Sequence, residues 1–557
     1  MKLRSQNRTG AQILVGSLLK HSVDKVFCVP GESYLAVLDA LYDHSHEISL
    51  INANHESGAS NMAEAYGKLT GKPGIAFVTR GPGACHASIG VHISKQDSTP
   101  MILFIGQVES SSYGNESFQE IDYVSMFSKV AKWSHQISNA DEIEEIVHKA
   151  FEVSNTGRKG PVVISLPEDM LSKKTSPKNL KVYKIKKPKI IKNKIAELKS
   201  LLDLSIKPIM ILGGGNWTID SRLGIEKFSL QNHLPVVTSF RRQDLIDNRC
   251  ENFIGTLGTS VSPKLLESFR EADVILAVGS RLSDMTTNSY NLFDSSSNKV
   301  KLIHVYPDEK EINRVFPSEL AIISDINEFV GQISNFSWFN NKKWDKWLSK
   351  LRNEYKQDLA ISNKTLNSDF TSICRNLSEN YFGSGEYIIT LDAGNHTGWP
   401  QRFLKYHQNC LQIGSTCGSM GYSIPASISS ALVYPQKKII SFVGDGGFLM
   451  SGLEISTAVN NNLNIMIILI NNSSYGTIRM HQEKHYPKRV IGTDIKNPDF
   501  VSLARSMGSE AVKVKNKKEF LIAFNKFIKL KGVSLIELIT DPKDLSTRLK
   551  LEYLLKR

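Results

Sequence analysis

Cysteine is scarce and scattered: six residues in 557, at positions 28, 85, 250, 374, 410 and 417, with no C-x-x-C pair and no His/Cys cluster at zinc spacing. The spacing excludes a disulfide framework and a zinc module, and it suits a reducing, cytoplasmic setting. Long hydrophobic runs are missing too. The longest, such as IMIILI at 465–470, are strand-sized and far short of a membrane span. The opening MKLRSQNRTG, leading into AQILVGSLLKH, is too short and too polar for a signal peptide. Acidic residues are absent from Lys173 to Lys194, where ten lysines stand in 22 positions. The net charge of +13 therefore leaves only +3 on the rest of the chain. Aromatic interleaving is absent there as well, with Tyr183 alone, so the stretch lacks the stacking platform of a single-strand binder. It reads as a basic linker, and neither a nucleic acid nor a membrane is expected as a partner.

What is present is an ordinary globular composition, 41% apolar and 22% charged. At roughly 150 residues per domain the length suggests three or four domains. A short apolar run, a glycine-containing loop and an amphipathic stretch recur along the chain. KVFCVPGES, SLINANHE, GIAFVTRGPG and PMILFIGQ form the first series, ending near Pro167. PIMILGGGN, LPVVTSF, DVILAVGSRL and KLIHVYPDE form the second, and YIITLDAGNH, IISFVGDGG, NIMIILINN and GVSLIELIT the third. Strands without polar alternation, separated by helices, indicate α/β domains with doubly wound parallel sheets covered on both faces. Three such domains are expected: 1–170, a Lys-rich linker 171–189, 190–335, a helical connector 336–368, and 369–557.

The segment 444–472 carries the most chemistry. Gly444-Asp445-Gly446 stands where a buried strand ends, and Asn471-Asn472 follows after 24 residues. In a βαβ unit both fall at the carboxyl ends of neighbouring strands, where open α/β sheets bind ligands. Asp445 offers a carboxylate, Asn472 a side-chain carbonyl and Ser474 a backbone carbonyl. These oxygens suit Mg²⁺, whose remaining positions phosphate oxygens can fill. Gly444, Gly446 and Gly447 let the backbone approach a diphosphate, and the next helix presents its N-terminus to it.

This G-D-G…N-N signature resembles that of the thiamine-diphosphate (ThDP) enzymes. Over nearly its whole length the chain is similar to the large subunit of the acetolactate (acetohydroxyacid) synthases. The resemblance implies three domains: pyrimidine-binding, central nucleotide-like, and diphosphate- and Mg-binding. It implies ThDP and Mg²⁺ as cofactors and decarboxylation of a 2-oxo acid, pyruvate first, with carboligation to a second carbonyl. In that family a glutamate hydrogen-bonds the aminopyrimidine ring, and NANHESGASNMAEAYGKLTG places the role on Glu56. Ser117-Phe118-Gln119-Glu120 resembles the segment whose Phe and Gln face the reacting centre, and Lys132-Trp133 a Lys-aromatic pair at the channel mouth. Gly31 belongs to the entrance loop. Gly394-Asn395-His396-Thr397 resembles the diphosphate-side loop, and Gly418-Ser419-Met420 the loop whose Met bends the cofactor. Tyr475, Gly476 and Thr477 complete the cofactor set, and Ile478 and His481 are implied substrate contacts. A homodimer or homotetramer with the site at a subunit interface, a small regulatory subunit and a place in branched-chain amino acid biosynthesis complete the implications.

Several positions depart from the family pattern. Arg80 replaces Ser, Glu32 stands where Gly is usual, and His481 replaces a Trp tied to acceptor choice. In the middle block Gly214, Arg281 and Asp325 resemble FAD contacts, whereas Met285 replaces an Arg and Tyr306 an Asp. Flavin, ADP or an empty nucleotide-like domain all stand as readings. A ThDP-dependent 2-oxo acid decarboxylase or an acyl-transfer lyase with another acceptor is the alternative activity.

Overall fold

The structure, a computed structural model, describes residues 7–183, 185–294, 299–338, 343–365, 368–384 and 387–554. Lys184 of the expected linker and residues 339–342, 366 and 367 of the expected connector lie outside the described residues, as do the outer ends of the first and last blocks. The chain divides into two compact units. One comprises Met1–Lys186, Ile428–Tyr434 and Leu453–Asn461, and the other Lys187–Ser427, Pro435–Gly452 and Asn462–Arg557.

The first unit is built on a six-stranded parallel sheet. Its strands are β1 (Lys25–Cys28), β2 (Ser49–Asn52), β3 (Gly74–Val78), β4 (Met101–Gln107), β5 (Trp133–Gln136) and β6 (Pro161–Pro167), in the order β2-β1-β3-β4-β6-β5. Every residue of β3, β4 and β6 is buried, the near-continuous apolar pattern of a sheet covered on both faces. Helix α1 (Glu56–Thr70) follows β2. The His55 ring caps its start by accepting from the Ser57 amide, and Gly71 ends it at φ +71. Small residues along α1, including Ala59, Ser60 and Ala63, let it lie flush against the interior.

The second unit holds two more six-stranded parallel sheets. The middle one contains β7 (Pro208–Leu212), β8 (Val236–Thr238), β9 (Phe253–Thr256), β10 (Val274–Val278), β11 (Lys301–Tyr306) and β12 (Leu320–Ile323), in the order β9-β8-β7-β10-β11-β12. The last contains β13 (Tyr387–Leu391), β14 (Leu411–Gly414), β15 (Lys438–Gly444), β16 (Ile465–Asn471), β17 (Glu510–Val514) and β18 (Val533–Ile539), in the order β14-β13-β15-β16-β18-β17. The doubly wound α/β class expected from the hydrophobic runs is thus present three times.

The lysine-rich stretch forms little regular structure. Lys174–Thr175 pairs with Arg8–Thr9, and among the described residues no helix or strand follows until α3 (Lys192–Leu204). Pro177 and Pro188, together with mutual lysine repulsion, account for that. Among the described residues no helix is long and apolar enough to cross a membrane.

Candidate active site

The carboxyl edge of the last sheet collects most of the singled-out residues. β15 ends at Gly444, and α4 (Asp445–Ser451) starts at the next residue, so Asp445 sits among the unpaired amides of a first turn. β15 and β16 pair as far as Gly444↔Ile470, which brings Asn471 and Asn472 level with Asp445, as the spacing predicts. Asp445 is 3% exposed. Its carboxylate accepts from the Gly446 amide at 3.0 Å and from Asn497 Nδ2 at 2.9 Å. Burial pushes its pKa above the usual carboxylate range, and the Asn497, Gly446 and Ser473 donors pull it partly back. Asn472 Oδ1 accepts from the Ser474 amide at 3.1 Å, and the Ser474 carbonyl accepts from the Gly476 amide at 2.8 Å.

Neighbouring loops complete this edge. After β13, Asn395 and Thr477 bond reciprocally at 3.0 Å, amide to Oγ1 and Oγ1 to Oδ1. Thr397 Oγ1 donates to the Gly394 carbonyl at 2.8 Å. Asn395, His396, Asn472 and Gly476 line one cavity of about 240 Å³. After β14, the loop carrying Gly418 (φ +72) delivers Met420. A Cβ on Gly446 would lie 2.7 Å from the Tyr475 ring and 3.0 Å from the Met420 methyl carbon, so any larger residue there would have to push these side chains aside. Gly447 packs equally close to the Asp392 carboxylate. Helix α6 (Gly476–His485) carries Thr477, then Ile478, which is half exposed, and His481, whose ring is parallel to that of His485.

The first unit has its own carboxyl edge. Glu56 opens α1, and its Oε2 lies 2.9 Å from His86 Nδ1 on α2 (Pro82–Asp97). After β3, the Gly81 amide donates to the Tyr123 hydroxyl at 2.7 Å, and a Cβ there would meet the Gln119 Cβ at 2.9 Å. Gln119 is held at φ +64, while Phe118 stands 74% exposed. A Cβ on Gly83 would lie 3.4 Å from Glu56 Oε1, and one on Gly31 would overlap Thr79. Gly31, Glu56, Phe118 and Gln119 thus follow the carboxyl ends of β1, β2 and β4. Lys132 does not join them. It precedes β5, its amide donates to the Pro161 carbonyl, and its ammonium donates to the Thr156 carbonyl, all at the amino edge of the parallel sheet.

Three family models match this chain. The thiamine pyrophosphate enzyme N-terminal TPP binding domain covers residues 8–126, the central domain 195–333 and the C-terminal TPP binding domain 392–538. The chain belongs to the thiamine pyrophosphate enzyme family. It is 29% identical to the mitochondrial acetolactate synthase catalytic subunit of Saccharomyces cerevisiae, over 96% of this chain and 81% of that one. It is 31% identical to the acetolactate synthase large subunit of Lactococcus lactis, over 92% and 89% of the two chains. With that of Cyanidium caldarium the figures are 29%, 97% and 94%. It is a ThDP-dependent enzyme of the acetolactate synthase type.

The edge around Asp445 fits the diphosphate end of ThDP (thiamine pyrophosphate). His396 Nε2 and Ser474 Oγ are buried without a hydrogen-bond partner among the described residues. Burial and the nearby Arg241 guanidinium push the His396 pKa down to about 3, so its ring is neutral near pH 7. A buried donor left unpaired is costly, and phosphate oxygens answer that deficit. The middle sheet is different. A Cβ on Gly214 (φ +71) would lie 2.0 Å from the Gly279 carbonyl. Arg281 Nε stands 3.5 Å from Glu311, and Asp325 caps a helix by accepting from the Asn327 and Glu328 amides. Packing and capping account for these three residues without a nucleotide.

Two side chains that hold these loops, Asp392 and Asn497, were not singled out from the sequence. Asp392, fully buried, accepts from the Gly421 and Ser423 amides at 2.9 Å and so holds the Met420 loop. Asn497 bridges Asp445 and Asn471 from a distant loop. The position of Asp392, an acid at the end of a buried strand, was the one available hint.

Proposed function

We propose that this enzyme decarboxylates a 2-oxo acid, pyruvate first, and couples the remaining two-carbon unit to a second carbonyl, as an acetolactate synthase does. The placing of Asp445 and Asn472 on adjacent strand ends, beside unpaired His396 and Ser474 atoms, is the observation that carries it. In this reading Asp445, Asn472 and the Ser474 carbonyl hold Mg²⁺, and Gly394, Asn395, His396 and Thr397 receive the diphosphate. When bound, ThDP supplies the electron sink that makes loss of CO₂ feasible. Glu56 exchanges a proton with the aminopyrimidine nitrogen, Gln119 orients the acid, and Ile478 and His481 shape the acceptor side. Lys132, at the other sheet edge, keeps its implied substrate role only if it acts from outside the Glu56 loops. Gly214, Arg281 and Asp325 stand at the positions that resemble FAD contacts, and an absorbance spectrum of the purified protein decides between flavin, ADP and an empty domain.

Association of copies belongs to the same reading. In the first unit Phe118 and Leu453 are 74% and 62% exposed, apolar side chains that suit a partner copy. The relatives' names, catalytic and large subunit, add a smaller regulatory subunit. The six scattered cysteines, with no C-x-x-C pair, agree with a cytoplasmic setting, and the domain limits at 170, 190, 335 and 368 complete the proposal.

A second reading rests on a contact between two departures. Arg80 bonds Glu32 at 2.6 Å and also pairs with Glu168, so both unusual residues form one charged cluster beside Gly81. An altered entrance favours a different acceptor and hence a decarboxylase or acyl-transfer lyase. Purified protein supplied with ThDP, Mg²⁺ and pyruvate tests both. CO₂ with acetolactate supports the synthase; CO₂ with free acetaldehyde supports the second reading and overturns the first.

A further inference from the structure

Glu454 is a buried carboxylate that the proposed chemistry leaves without a task. It opens α5 (Glu454–Asn460), is 1% exposed, and lies in the same unit as Glu56. Its Oε1 accepts from the Asn54 amide at 3.2 Å and the His55 amide at 3.1 Å. Its Oε2 accepts from Thr457 Oγ1 at 2.7 Å and from the Asn54 amide at 3.3 Å. Asn54 is tied to the same helix start a second time. Its Nδ2 donates to the Leu453 carbonyl at 2.9 Å and to Ser456 Oγ at 2.8 Å. The carboxylate also lies against the bare backbone of the first turn of α1. A Cβ on Gly58 would come within 2.2 Å of Glu454 Oε1.

We propose that Glu454 is a positioning residue for Glu56. It fixes the turn Asn54–His55 by accepting its two backbone amides, and thereby sets where the next side chain, Glu56, points. The proposal deepens the reading in which Glu56 handles the cofactor proton, and rests on it. Three features support it. All of the carboxylate's contacts are donors, so each needs an acceptor and none needs its charge neutralised. The two amides belong to the residues directly before Glu56, so the bonds they make to Glu454 set the path by which the chain enters α1. Gly58, one turn into α1, leaves room for the carboxylate and nothing else.

Amide hydrogen exchange on the full-length, cofactor-free protein, read on peptides spanning 51–59, is the first measurement. The second is exchange of the thiazolium C2 proton of bound ThDP into D₂O, with Mg²⁺ present and an acid quench. Glu454→Ala should speed exchange of the Asn54 and His55 amides by about tenfold or more and slow C2 exchange by a similar factor. Glu454→Gln, whose carbonyl can accept both amides while its NH₂ donates to Thr457, should restore both. Gly58→Ala should reproduce the Ala result, because its methyl displaces the carboxylate while alanine raises the helix propensity of α1. Wild-type amide exchange in Glu454→Ala overturns the proposal, as does a Gln variant as impaired as the Ala variant. Glu56→Gln run in parallel separates the two ideas. Slow C2 exchange in Glu56→Gln with wild-type behaviour in Glu454→Ala rejects the bracing alone. Unimpaired C2 exchange in Glu56→Gln rejects the Glu56 reading itself, and amide exchange still decides whether Glu454 holds the turn.

Discussion

The first and last sheets have the same strand order, yet they are equipped for different work. Numbered within each sheet, both run 2-1-3-4-6-5, whereas the middle sheet runs 3-2-1-4-5-6. Corresponding strand ends can therefore be compared directly. After the first strand stand Gly31 in one sheet and Gly394–Thr397 in the other. After the second stand Glu56 and the Gly418–Met420 loop, and after the third Arg80–Gly83 and Gly444–Gly447. After the fourth come Phe118–Gln119 and Asn472–Tyr475. One edge offers a carboxylate paired with an imidazole, an amide and an exposed ring. The other offers a buried carboxylate, carboxamides and a glycine cradle. In the proposed reading one backbone plan carries proton-handling groups in one copy and anion- and cation-holding groups in the other, the division expected when loops rather than scaffold decide chemistry.

The comparison can be broken at its strongest point first. Asp445→Ala should remove Mg²⁺-dependent ThDP binding, weakening it by about 100-fold or more, because it deletes the one carboxylate of the proposed metal set. Isothermal titration checks this, and wild-type affinity would show the last sheet holds no cofactor end. A smaller contrast comes from the two third-strand ends. Gly446→Ala drives a methyl into Tyr475 and Met420 and should weaken ThDP binding by about tenfold. Gly83→Ala meets Thr79 at 3.0 Å and Glu56 at 3.4 Å, and should leave that affinity within about threefold while lowering turnover.

The smallest effects concern pH. In the first unit His21 Nε2 lies 2.7 Å from His148 Nδ1, and burial, with His148 and Lys20 nearby, pushes the His21 pKa down to about 4. Its unfolded value is 6.5. Between these values the unfolded chain binds a proton that the folded one refuses, so stability falls as pH drops from 6.5 towards 4. In the last sheet burial pushes Lys438 down to about 8 from 10.5. There too the unfolded chain keeps the extra proton, so stability rises with pH from 8 to 10.5. Melting temperatures against pH should flatten in the acid window for His21→Gln and in the alkaline window for Lys438→Met.

How much of this was legible depended on locality. Three parallel-sheet α/β domains follow from unbroken apolar runs, and the Asp445–Asn472 arrangement from one strand-helix-strand spacing. Glu56 was reachable through resemblance, since an acid at a helix start is otherwise unremarkable. Asn497 was not legible: it lies 52 residues from Asp445 in a loop without periodicity. The meeting of Glu32 with Arg80, of His86 with Glu56, and of Glu454 with the Asn54 turn are likewise products of tertiary folding. Lys132 shows the converse. A motif match gave its identity, but only strand direction reveals that it stands at the amino edge.

The division of labour between the two sheets is tested most directly by Glu56→Gln. ThDP is titrated into the variant with Mg²⁺, and exchange of its C2 proton is then read in the same sample. The variant should bind ThDP within about threefold of the wild type while C2 exchange slows by about 100-fold or more, since it loses a proton-transfer group and no diphosphate contact. C2 exchange at the wild-type rate would contradict the account.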